Sequence, residues 1–175
     1  MIHDNDNDNM TINRALNFGS GLLSMGLVPG VHTMVGLYCR WSELLSLDTF
    51  VQDFEFRNCP EWVVTEQALY CHSMVNVPLY DSLGPDARAF VIKECEMRLI
   101  VAFDEVNVRN VLDSAQDCLK VIVTVKDVQP RLVEEADSLG IKIVRFLDIE
   151  AAGAESRTEV RCQQNFVLSC HNIRF

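Results

Sequence analysis

The stretch Leu99 to Phe146, LIVAFDEVNVRNVLDSAQDCLKVIVTVKDVQPRLVEEADSLGIKIVRF, places two helical stripes between three short runs with strand character. Leu99 to Phe103 and Val121 to Val125 are short and continuously apolar, as strands buried on both faces are. Ile141 to Phe146 reads as a third strand after Gly140. Between the strands, Val108, Val111, Leu112, Ala115 and Leu119 recur at helical spacing, and Leu132, Val133, Ala136 and Leu139 do so again. Parallel neighbours need long crossovers, so this alternation predicts a parallel sheet.

The same pattern extends toward the amino terminus. From Thr11, Ile12, Ala15, Leu16, Leu22 and Leu23 fit one amphipathic helix, with Gly19 on its face and Gly26 where a C-cap would fall. Met34 to Cys39 reads as a strand after the Pro29-Gly30 turn. Pro60-Glu61 suits the first turn of a helix burying Val64, Ala68 and Cys71, because proline fits that turn and glutamate favours the positive end of the dipole. Met74 to Leu79 reads as a strand, followed by a turn through Gly84-Pro85 into a helix with Ala87, Phe90, Val91 and Cys95 on one face. Right-handed crossovers would set such helices over both faces, giving an α/β, doubly wound, mostly parallel sheet. The chain divides into a disordered acidic start at 1–10, an α/β unit at 11–159 interrupted by an insertion at 41–57, and a tail at 160–175 outside the alternation.

Composition narrows the function classes. A net charge of -10 and a sequence pI near 4.7 oppose phosphate backbones and anionic surfaces. Nucleic acid is therefore not an expected partner. No apolar run is long enough to cross a membrane, and MIHDNDNDNM resembles no secretory signal, so an intracellular, cytoplasmic chain is expected. The cysteines at 39, 59, 71, 95, 118, 162 and 170 form no C-x-x-C pair and read as free thiols in a reducing compartment.

Candidate chemistry is sparse. Asp4, Asp6 and Asp8 open like a calcium loop, but Asn9 stands where glycine is required and Ala15 where glutamate is. Gly19, Ser20, Gly21 and Gly26 precede the first strand, whereas a phosphate cradle follows one, so they read as helix packing. Cys71-His72 pairs a nucleophile with a base in sequence, yet adjacent helical residues do not face each other. His3, His32 and His171 are scattered. Asp104 and Glu105 after one strand, with Lys126 after the next, lie where doubly wound folds bind ligands, and they support a rival reading as a noncatalytic small-ligand or interaction module resembling a phospho-receiver. No catalytic, cofactor-binding or metal-ligating residue is assigned.

Asn58-Cys59-Pro60-Glu61-Trp62-Val63 and Ser73-Met74-Val75-Asn76-Val77-Pro78-Leu79-Tyr80-Asp81-Ser82-Leu83-Gly84-Pro85-Asp86-Ala87 carry a family resemblance. The chain resembles AMP-forming long-chain fatty acid–CoA ligases, whose pattern is N-R-P-E-W followed by V-P-L-Y-D-T-L-G-P. Cys59 stands here for arginine and Ser82 for threonine. Ala15 to Gly30 and Met34 to Tyr38 resemble the family's preceding helix and strand, while Trp41 to Arg57 and the tail from Val160 match nothing in it. A retained non-coding stretch would produce such an insertion.

The resemblance implies an N-terminal subdomain of an enzyme that joins fatty acid to ATP as an acyl-adenylate, releases pyrophosphate and passes the acyl group to coenzyme A. It implies fatty acid, ATP, magnesium and coenzyme A as partners of a parent enzyme on endoplasmic reticulum, mitochondrial outer or peroxisomal membranes. The family's Ser/Thr/Gly-rich loop ending in Pro-Lys-Gly, its adenine and magnesium motifs and its mobile C-terminal domain have no counterpart in these 175 residues. Catalysis by this stretch alone is not expected.

Overall fold

A computed structural model describes residues 5–38, 59–80 and 82–158, together with the helical backbone but not the side chains at 5–9. The insertion at 41–57 and the tail at 160–175 lie outside the described residues. The order is α1 (Asn5–Ser24), β1 (Met34–Tyr38), α2 (Pro60–Cys71), β2 (Val75–Leu79), α3 (Pro85–Glu94), β3 (Leu99–Ala102), α4 (Glu105–Leu112), β4 (Val121–Thr124), α5 (Pro130–Ser138), β5 (Lys142–Arg145) and α6 (Phe146–Glu155).

All five strands are parallel, in the order β2-β1-β3-β4-β5. The chain steps from β1 to β2 on one side, then crosses back over β1 to β3 and continues through β4 to β5. Right-handed crossovers require a change of helix face when the direction of travel reverses. The packing follows that rule. Val35, Leu37, Leu99, Val101 and Val123 meet α1, α2 and α6 through Phe18, Leu22, Val64, Leu69, Phe146 and Ile149. On the other face Tyr38, Ile100, Ala102 and Ile122 meet α3, α4 and α5 through Ile92, Val108, Val111, Leu132 and Ala136. Alternate residues of one strand therefore enter opposite cores, which explains why the central strands are apolar without a break.

Four features differ from the sequence expectation. Helix α1 begins at Asn5, not Thr11, so the segment expected to be disordered over 1–10 is helical from its fifth residue. Acidic residues suit the positive end of a helix, a start signal that apolar spacing does not carry. Helix α4 ends at Leu112, not Leu119: Asp113 N still bonds Arg109 O, but Ala115 N turns to Leu112 O and Leu119 N to Gln116 O. Those turns bring Leu119 into the core without helix. On α3 the buried residues are Arg88 and Ile92, while Phe90 is 59% exposed and Ala87 is exposed. Finally, α6 was not anticipated. It begins as β5 ends, and its buried positions Phe146, Ile149 and Gly153 include only two large apolar residues.

Candidate functional site at the carboxyl edge of the sheet

In open α/β sheets the crevice outside the carboxyl ends of the strands, where strand order reverses, is the usual ligand position. Here the reversal lies between β1 and β3, whose ends are Tyr38 and Ala102. Phe103 N bonds Tyr38 O at 3.2 Å, and Lys126 N bonds Phe103 O at 3.0 Å, so pairing continues past the strands and knits the edge together.

Both sequence motifs arrive at this edge. Pro60 opens α2, with its fixed φ matching the first helical position and its missing N–H costing no bond there. Gly84 and Pro85 start α3 in the same way, after the Val77-Pro78-Leu79-Tyr80 end of β2. Leu37, Tyr38, Cys59, Glu61, Trp62, Val101, Phe103 and Val125 line a shallow cleft between α2 and the ends of β1, β3 and β4. Its enclosed volume, about 10 Å³, suits a single water rather than a substrate.

The charged groups around the cleft are engaged with one another. The Cys59 thiol lies 3.1 Å from Glu61 Oε2, and burial together with that carboxylate pushes it up to about 12. Such a thiol is a poor nucleophile at neutral pH, since the thiolate is the reactive form. Burial works against the charge of Glu61. The Cys59 thiol, the backbone amide of Glu61 and the Arg14 guanidinium outweigh it and hold this carboxyl below its ordinary value. Arg14 bridges helices, donating to Glu61 at 3.2 Å on α2 and to Glu150 at 3.0 Å on α6, and both carboxylates raise its own pKa.

A second polar group lies under the edge on the opposite face. Arg88 donates to Tyr38 Oη at 3.0 Å and to Ser114 Oγ at 3.1 Å, and sits 5.2 Å from the centre of the Tyr38 ring. Asn110 Nδ2 donates to the same phenolic oxygen at 3.1 Å. The last residue of β1 is thereby fastened to α3 and α4. Sequence reasoning missed this group because each member is distant from the others along the chain; only the i, i+4 spacing of Arg88 and Ile92 hinted at it.

The residues singled out in the sequence do not assemble. Asp104 Oδ1 accepts from Asn107 N at 3.0 Å as the N-cap of α4, and Lys126 Nζ stands 4.6 Å over the Phe103 ring. Among the described residues no ion pair joins the two. His72 is buried and neither ring nitrogen has a hydrogen-bond partner, so it is not paired with Cys71. Gly19 and Gly21 lie inside α1 against His72 and Ile149, as expected of packing glycines. Cys59, Cys95 and Cys118 are free thiols. Among the described residues no three His, Cys, Asp or Glu side chains gather as a metal site, and no helix is long and apolar enough to cross a membrane.

The family model described as AMP-binding enzyme matches residues 55–157, well over half of the chain. This chain belongs to the AMP-binding enzyme family. Among its relatives, long-chain-fatty-acid–CoA ligase 1 of Cavia porcellus is 35% identical over 143 residues, covering 79% of this chain and 18% of the relative. Long chain acyl-CoA synthetase 1 of Arabidopsis thaliana is 28% identical over 143 residues, covering 80% and 19%. The resemblance to long-chain fatty acid–CoA ligases is thus borne out, and the chain spans about a fifth of the length of these relatives.

The fold agrees. The A-PCP didomain of a carboxylic acid reductase from Segniliparus rugosus, solved with AMP, superposes with a TM-score of 0.64 at 13% identity. The match covers 86% of this chain and 20% of that one. An anthranilate CoA ligase, AuaEII, solved with anthranoyl-AMP, gives a TM-score of 0.58 at 16% identity over 87% of this chain and 24% of its own.

Proposed function

We propose that this chain is the N-terminal α/β layer of a long-chain fatty acid–CoA ligase, and that these 175 residues do not catalyse by themselves. The observation that carries the reading is the placement of both ligase-like motifs: each starts a helix, α2 or α3, at the carboxyl edge of the sheet, and α2 does so beside the strand-order reversal. In the parent reaction, fatty acid and ATP form an acyl-adenylate and pyrophosphate, and coenzyme A then takes the acyl group. Stabilising the phosphorus transition state needs positioned amides, a cation and a metal aimed at the phosphates. At the edge described here, Arg14 is committed to two carboxylates, Arg88 is buried against Tyr38, and Cys59 is protonated.

The layer's role in this reading is to hold one wall of the enzyme, with fatty acid and coenzyme A handled where further segments meet the carboxyl edge. A cytoplasmic setting, in which the cysteines stay reduced, belongs to the same proposal. Fatty acid-dependent release of pyrophosphate from ATP and magnesium tests it, using the purified chain beside a version lacking Trp41 to Arg57. No release above a no-protein blank is expected from either. Release by the chain, scaling with its concentration and resisting further purification, would overturn the proposal.

A further inference from the structure

His72 follows α2 directly and is 1% exposed, yet neither Nδ1 nor Nε2 meets a hydrogen-bond partner. A neutral imidazole has one donor and one acceptor to satisfy, and an imidazolium has two donors and a charge. Burying the second form unpaired costs more than burying the first. The ring occupies space next to α1: a Cβ added at Gly19 would stand 2.7 Å from both Cδ2 and Nε2. The main chain of His72 is well held, with N donating to Leu69 O at 3.1 Å and O accepting from Gly30 N at 3.1 Å. The side chain alone is therefore out of balance.

Among the described side chains, no free counter-charge is at hand on the elements around it. On α1, Arg14 is bound to Glu61 and Glu150. On α2, Glu66 accepts from Tyr70 Oη and Asn76 Nδ2, and Glu61 is held by Arg14 and Cys59. In the turn that bonds its carbonyl, His32 is exposed. On α6, Asp148 and Glu155 are exposed and make no bond to His72.

We propose that His72 is an acid-sensitive release for the α1–α2 contact: once protonated, it loosens α1 from α2 while the α3–α5 layer stays closed. Helix α2 passes into β2 through a short turn closed by Met74 N donating to Leu69 O at 2.9 Å, whereas α1 joins β1 through a longer segment in which Gly26 and Gly30 have φ of 91° and 133°. Burial holds the folded imidazole below its ordinary value, so the contact is intact above a pH of about 6.5 and weakens as pH falls further.

Hydrogen exchange of the full chain at a pH of about 7 and about 5, corrected for intrinsic rates, reads the release directly. Protection across residues 15–24 is expected to fall about tenfold at the lower pH while α4 and α5 hold. His72→Phe, which fills the space without titrating, abolishes the acid effect, and His72→Gln does so if the phenylalanine variant fails to fold. His32→Gln retains it. Unchanged protection in the parent chain, or an equal acid loss in the His72 variants, overturns the proposal. So does a His72 proton resonance whose titration midpoint departs from that of the α1 loss.

Discussion

Arg88 is 5% exposed, and its hydrogen bonds go to Tyr38 Oη, Ser114 Oγ and Leu83 O, with no carboxylate among them. A guanidinium removed from water is tolerated when every donor direction meets an oxygen or a ring face. Removing it takes one donor away from each of the Tyr38 and Ser114 hydroxyls and empties a core position. Arg88→Ala is therefore expected to lower stability by about 2–4 kcal/mol in urea titration. Phe90→Ala, at a 59% exposed ring, is expected to cost less than about 1 kcal/mol. The reverse order of effects would contradict the packing described. This pair also shows where the sequence misleads. Apolar spacing assigns Phe90 inward, yet residues 88 and 92 face the core because the arginine has polar partners there that only the fold brings together.

Helices and strands were legible where burial imposes a run. Leu99–Ala102 and Val121–Thr124 lie between two helical layers, so nearly every side chain is apolar and the strands stand out. Helix α6 was hidden for the opposite reason. It packs on α1 by backbone approach, and a Cβ at Gly153 would collide with the Asn17 carbonyl while one at Gly21 would collide with the Ile149 carbonyl. Close approach needs small residues, which carry no periodic signal. Phe18 stacked on Phe146 at 4.0 Å, and Arg14 on Glu150, complete the contact. Gly153→Ala should force the helices apart and lower stability by about 1–3 kcal/mol. Gly84→Ala, with open space around its Cβ position, should change stability by less than about 1 kcal/mol in the same assay.

At the scale of the molecule, the first described helix is packed against the last one, and Thr158 N donates to Ser20 Oγ at 3.1 Å to fasten the end. The two cores lie on opposite faces of one sheet and share β1, β3 and β4. Such an arrangement favours a single cooperative unfolding transition. The candidate site was legible only in part: Cys59-Pro60-Glu61-Trp62 and Gly84-Pro85 gave the family and the edge. The polar groups beneath that edge were invisible, because Tyr38, Arg88, Asn110 and Ser114 come from separate elements.

We propose that this layer, which shares the fold of adenylating enzymes, has in these residues no grip on the adenylate. The most direct measurement is the melting temperature of the purified chain with and without a non-hydrolysable acyl-adenylate analogue at saturating concentration. A ligand that binds the folded state raises that temperature through mass action. A cooperative melt that does not move with the analogue is predicted; a saturable upward shift would contradict the account.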